Sequence, residues 1–362
     1  MKQRSLASQE LFEKYGRKSR RELFLDEMER IVPWSGLEAL VRPHYAKAGN
    51  GRQPVGLSIM LRTYFVQQWF NLSDPGAEEL LYESAAVRNF VGVDLGIAPA
   101  PDETTILRFR HLLETHELGG LMLDAVNIHL EAKGIRIATG TIVDATIIAA
   151  PSSTKNASGE RDPEMHSTKK GNQWHFGLKA HIGVDASEGH VHSVATSAAH
   201  VSDVHMLPEL LHGEERKVWG DGGYQGQTEA IKAASPNAQD MTCKRTKFKG
   251  GVDELQKKKN KSKSSVRAKV EHVFRILKRV FGFDKVRYRG IAKNHNRLCA
   301  NFALGEPLPA SQTARSARVE LRLKAGKQAS RRCKSQLATS HERKSTEQIV
   351  AITQSQTYAE LP

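Results

Sequence analysis

Thr141-Ile-Val-Asp-Ala-Thr-Ile-Ile148 is a run of mostly β-branched residues interrupted by one carboxylate. Such a run predicts a β-strand. Side chains alternate faces along a strand, so Ile142, Asp144 and Thr146 share one face and Val143 and Ala145 the other. Asp144 is thereby placed by a strand rather than by a loop. A carboxylate in an apolar run is costly unless it is paired or holds a cation. Two further acids have telling settings. Asp221 closes the run Val218-Trp-Gly-Asp-Gly-Gly-Tyr224, where the glycines let the backbone turn sharply. Glu271 lies in the basic amphipathic stretch Val266–Arg279 and shares a helical face with Arg267, Arg275 and Lys278. Taken singly, Asp144 also reads as a satisfied core polar group, Asp221 as a turn former and Glu271 as half of a surface ion pair. Taken together, in a chain of net charge +14, they suggest a divalent cation held against nucleic acid.

Working outward from this strand, Gly119–Ala132 has helical periodicity and Ile135–Ile148 reads as strand. Pro151–Gly171 is polar and reads as a loop. Trp174–Asp185 and His190–Ser197 read as a hairpin turning at Ser187-Glu-Gly189. Helix is expected over Asp203–Leu211 and Gln227–Ala234, and short strands over Lys217–Gly220 and Asp240–Cys243. Thr246–Ser265 is crowded with lysines and reads as a flexible basic loop before a helix over Val266–Phe281. This order of elements predicts an α/β layer structure with helices covering a sheet.

The chain before the sheet is helical throughout. Ser58–Phe70 is apolar around most of its circumference and should be buried. Asp102-Glu-Thr-Thr105 supplies cap residues for Ile106–Leu113, in which Arg108, Arg110 and His111 interleave with apolar positions. That segment reads either as a plain amphipathic helix or as one that enters a DNA groove. Past Leu304 the pattern gives way to Pro307, Pro309 and many Ser, Gln, Arg and Lys residues, which predicts disorder. The expected layout is a helical DNA-binding domain over 1–117, an α/β domain over 118–304 and a disordered basic tail over 305–362.

Composition narrows the function. A sequence pI near 9.6 favours a polyanionic partner. No run approaches the ~20 apolar residues of a membrane helix, and the N-terminus lacks a secretory apolar core. Cys243, Cys299 and Cys333 are odd in number and unclustered, so neither a disulfide framework nor a zinc set is expected and a cytoplasmic setting is. His181, His190, His192, His200 and His205 lack zinc-ligand spacing as well.

Several long segments, in one order, resemble bacterial insertion-sequence DDE transposases of the IS-five family. They are Val143-Asp-Ala-Thr-Ile-Ile-Ala-Ala-Pro-Ser-Ser-Thr-Lys-Asn156, Gly177-Leu-Lys-Ala-His-Ile-Gly-Val-Asp185, Gly220-Asp-Gly-Gly-Tyr-Gln-Gly226, Val266-Arg-Ala-Lys-Val-Glu-His272 and Val286-Arg-Tyr-Arg-Gly290. The resemblance spans roughly residues 1–303. It implies a ribonuclease H-like catalytic domain whose metal site is Asp144, Asp221 and Glu271. It also implies an N-terminal region that recognises the element's terminal inverted repeats. The family's tyrosine–arginine–glutamate–lysine signature keeps Arg267, Glu271 and Lys278 but has Ser264 in the tyrosine position. Two Mg²⁺ ions are implied, with Mn²⁺ as a substitute, and a homodimer on DNA in the bacterial nucleoid. Lys169, Lys170, Arg267, Lys278, Arg108 and Arg110 are the candidate DNA contacts. The sequence also leaves open a catalytically inactive DNA-binding relative and a metal-dependent nuclease that cuts without joining.

Overall fold

Helix α3 (Leu57–Trp69) shows why the N-terminal half folds as it does. Met60, Leu61, Tyr64, Phe65, Val66 and Trp69 are all buried, and so are Thr63, Gln67 and Gln68, which leaves the helix enclosed on every side. Around it pack α1 (Arg20–Ile31), α2 (Trp34–Val41), α4 (Asp74–Glu83), α5 (Ala85–Val91) and α6 (Glu103–Thr115). Aromatic edges lock this layer: Trp34 meets Phe65 at 5.0 Å between centroids, and Phe24 meets Trp69 at 5.2 Å. Side-chain caps start the helices. Ser19, Ser73, Ser84 and Asp102 each accept from a backbone N–H in the first turn.

The computed structural model describes residues 17–133, 140–155, 159–248 and 251–305. Residues 1–16, the expected strand start at Ile135 and all of the expected basic tail except Gly305 lie outside the described residues.

Helix α7 (Leu118–Ala132) leads to β1 (Gly140–Ala149), which carries the opening stretch of the sequence reading. Then follow β2 (His166–Lys170), β3 (Gln173–Asp185), β4 (Val191–Ala198), a short α8 (Leu207–Leu210), β5 (Lys217–Trp219), α9 (Thr228–Ala234) and β6 (Gln239–Asp240). The sheet runs β4-β3-β1-β5-β6. β3 is antiparallel to β1 and β4 to β3, whereas β5 is parallel to β1 and β6 to β5. β2 extends the sheet by pairing with the first residues of β3. One face bears Ile142, Ile148, Leu178, Ala180 and Ile182 and shares a continuous core with the N-terminal helices. The other bears Val143, Ala195 and Val218 and packs on Leu207, Leu210, Tyr224 and Ile231.

The lysine-rich stretch after residue 246 departs from expectation. Lys247–Phe248 (β7) and Gly251–Val252 (β8) form a small ladder, and α10 then spans Glu254–Arg275. Charge density suggested a loop, but Lys and Gln are good helix formers and Asp253 caps the start by accepting from the Gln256 N–H at 2.9 Å. Lys263 Nζ donates to the Thr242 carbonyl at 2.8 Å, and Asn260 exchanges hydrogen bonds with the Lys244 backbone. Asp253→Ala should lower stability by about 1 kcal/mol through loss of the cap, measurable by urea unfolding. A π-helical turn, Ile276–Val280, prolongs α10.

Helix α11 (Ile291–Gly305) ties the halves together. It packs against α7, α3 and α6 and against β4. Asn296 Oδ1 accepts from the Gly119 N–H at 2.7 Å, and a Cβ at Gly119 would collide with the Asn296 carbonyl. Gly119 is thus required by close approach at the helix crossing.

Candidate active site on the parallel strands

β1 and β5 run parallel with Gly140, Thr141 and Ile142 opposite Lys217, Val218 and Trp219. Continued two residues, this register brings Asp144 beside Asp221 on one sheet face. Asp221 sits just beyond the end of β5, and its Oδ1 accepts from the Gly223 N–H at 2.8 Å, which closes the glycine turn. Ligand sites in open sheets lie at such strand ends.

Asp144 is mostly enclosed. Its Oδ1 accepts from the Ala145 N–H at 2.8 Å and its Oδ2 from Arg267 Nη2 at 3.3 Å. Burial pushes its pKa above the usual carboxylate range; the Ala145 hydrogen bond and Arg267 pull the other way, and the neighbouring charge of Asp221 adds to the rise. Burial also opposes the charge of Arg267, but Asp144 and then Asp221 more than offset it, so its pKa is raised. The sheet thus presents two neighbouring acids, one of them mostly enclosed, with one guanidinium as counter-charge.

Arg267 belongs to α10, which crosses β1 and β5. Further along the helix, Lys278 Nζ donates to the Ile147 carbonyl of β1 at 2.8 Å. Burial and then Lys170 lower the Lys278 pKa. Glu271 stands between Arg267 and Lys278 on the same helical stripe but remains exposed. Among the described residues no three His, Cys, Asp or Glu side chains are gathered closely enough to hold a metal. The structure therefore pairs Asp144 with Asp221 and does not bring Glu271 to them. The donor chemistry still fits a hard cation: two neighbouring carboxylates, Asp144 mostly enclosed, call for positive charge, and Arg267 provides it in this arrangement.

The remaining candidates are scattered. Lys169 and Lys170 are exposed on β2, and Arg108 is exposed on α6. Arg110 departs from the expectation of a DNA contact. It is 8% exposed, pairs with Asp74 and with Glu114 at 3.0 Å each, and lies 4.4 Å over the Tyr288 ring. Its position one helical turn from Ile106 and Leu113 turns it into the core, where its charge is already neutralised.

Three further groups support the site, and of these Asp203 and Glu215 carried no signal in the sequence. Tyr224 is buried with an unpartnered hydroxyl; burial, then Asp203, Asp144 and Asp221, push its pKa upward. Asp203 pairs with Lys179 at 2.9 Å and faces the buried His181 ring. Glu215 is fully buried and accepts from the His212 N–H at 2.7 Å, the Gly213 N–H at 2.9 Å, Thr141 Oγ1 at 3.2 Å and Ser235 Oγ. It thereby fastens β1, the approach to β5 and the end of α9. A lone acid in a turn carries no sequence signal of this kind.

Residues 136–304 match the family model described as Transposase DDE domain. Residues 13–112 match a second, described as Transposase domain (DUF772). The first implies a ribonuclease H-like fold for the sheet, and the two together support a DNA transposase, a protein of transposition and DNA recombination. No solved structure matches the chain. Among the described residues no helix is long and apolar enough to cross a membrane.

Proposed function

We propose that the protein is an IS-five-type transposase that binds the terminal inverted repeats of its element and carries out divalent-metal-dependent cleavage and joining of DNA strands. The pairing of Asp144 with Asp221 on adjacent parallel strands, beneath a helix bearing Arg267, Glu271 and Lys278, carries this reading. Asp144 and Asp221 would hold the metal, with Glu271 as the third carboxylate. Mg²⁺ suits such oxygen donors, and Mn²⁺ would substitute. When bound, the metal supplies Lewis-acid polarisation of the phosphoryl oxygen and acidification of the attacking hydroxyl.

The chain's own residues bind and position the substrate. Arg267 neutralises Asp144 before substrate arrives and is then placed to meet a phosphate at the same spot. Lys169, Lys170 and Arg108 are exposed cations for the flanking backbone. The protein acts on DNA as a homodimer in the nucleoid, so that both ends of the element are held together.

Incubating the chain with a labelled inverted-repeat duplex, a target plasmid and Mg²⁺ tests the proposal. Nicked and joined products are expected, and EDTA should remove both. Binding without chemistry would instead assign an inactive relative, and cleavage without joined product a nuclease.

A further inference from the structure

Trp174 is 70% exposed, although the other three tryptophans are buried or packed against the core. It sits on the β2–β3 hairpin, whose two-residue turn begins at Gly171 with φ +61°, the positive value a first-position glycine supplies in such turns. Lys169 lies directly across the ladder from Trp174, and Lys170 across from Gln173. Even-numbered residues of β3 share a face, and Ile182 is the register partner of Asp144. Trp174 therefore projects from the same sheet face as Asp144, with Phe176 and Leu178 between them. On the α10 side Lys278 feels the charge of Lys170 and donates to the Ile147 carbonyl of β1. The result is one face carrying acids at one end and an open indole with Lys169 beside it at the other, while Lys170 stands on the opposite face of the same hairpin.

On these grounds we propose that the β2–β3 hairpin is a single-strand clamp, in which Trp174 stacks on an unpaired nucleobase while Lys169 beside it and Lys170 at the turn hold the adjoining phosphates. The inference rests on the DNA-binding reading above and extends it to an unpaired segment of the substrate. An indole offers every base an equivalent stacking surface, and lysines at its side match the charge of the connecting backbone. Trp174 is eight residues along β3 from the partner of Asp144. At about 3.3 Å per residue that is roughly 26 Å, or about eight nucleotides of stacked DNA. The clamped base is thus distant from the scissile phosphate and belongs to the flank of the reacting strand.

The test compares binding of a 20-nucleotide oligo(dT) with a blunt duplex of the same length, without added metal, by wild type, W174A, W174F and K169A/K170A. Tryptophan emission should be quenched by oligo(dT), because Trp174 is the solvent-facing indole. W174A should weaken oligo(dT) about tenfold, with duplex affinity and unfolding temperature unchanged, and W174F should restore most of the loss. K169A/K170A should weaken both probes and flatten the salt dependence. Equal loss on the two probes with W174A, or no loss at all with that variant, would overturn the clamp. A shift of free W174A from dimer to monomer in sedimentation, with oligo(dT) binding intact, would overturn it as well and assign the indole to a second copy of the chain. Because the measurement needs no catalysis, its failure leaves the transposase assay readable on its own, and the reverse holds.

Discussion

Asp144→Asn should reduce strand cleavage and joining by on the order of 10⁴-fold or more while DNA affinity stays within about twofold. The substitution keeps the side chain's shape, so the new amide can still accept from the Ala145 N–H and lie below Arg267. What it removes is the charge. Asp144 is mostly enclosed, and burial already works against its ionisation. A neutral amide there binds a hard cation weakly and leaves Arg267 without its counter-ion. Gel-shift titration of the repeat duplex alongside product analysis separates the two effects, and an unfolding scan controls for stability. Full cleavage by the variant would remove Asp144 from the site. Glu271→Gln offers a sharper comparison: it should abolish the same chemistry although Glu271 makes no contact with the acid pair in this arrangement.

Glu215→Ala should destabilise the chain by about 3–5 kcal/mol. Four donors converge on this one carboxylate, which is fully buried. Removing it strands them, and the segments it joins include β1 and the approach to β5. Thr141 has one hydroxyl hydrogen, which it donates to Glu215, so the neighbouring His192 must donate from Nε2 to Thr141 and accept from Ser193 through Nδ1. Burial, first, and the adjacent His212 hold His192 neutral, with its pKa lowered to about 4. Burial also works to raise the Glu215 pKa, but the hydrogen bonds from Ser235 and His212 outweigh it, and the net shift is downward. A depressed folded-state pKa contributes stability that is present above the unfolded value and is lost as pH falls through the folded one. Unfolding free energy of the wild type should therefore drop as the pH falls below the usual glutamate range, about 4. Glu215→Gln should flatten that part of the profile. An unchanged acid limb in the variant would show that another carboxylate dominates there.

Periodicity made the framework legible. The alternation through Thr141–Ile148 predicted β1, and the all-round apolar segment after Ser58 predicted the buried α3. Asp102 capped the helix it was expected to cap. The misses have a common cause. His166–Lys170 is a polar edge strand that exists because β3 outruns its other partners and offers it a ladder, so its own composition carries no strand signal. The lysines of Lys257–Lys263 form a helix because the cap at Asp253 and contacts to Thr242 and Lys244 come from residues outside the run. Arg110 resembled a groove contact beside Arg108, yet two acids, one of them 36 positions away, draw it into the core.

From the chain alone came the acid in the strand, the acid at the glycine turn, the basic helix with its glutamate and the excess of positive charge. These are local properties, written in alternation, turn chemistry and charge. Only the tertiary structure decided that Asp144 and Asp221 stand side by side, that Arg267 rather than Glu271 meets them, and that Trp174 shares their face. Those outcomes depend on which strands pair and in which register, and pairing is settled by side chains far apart in sequence competing to leave water.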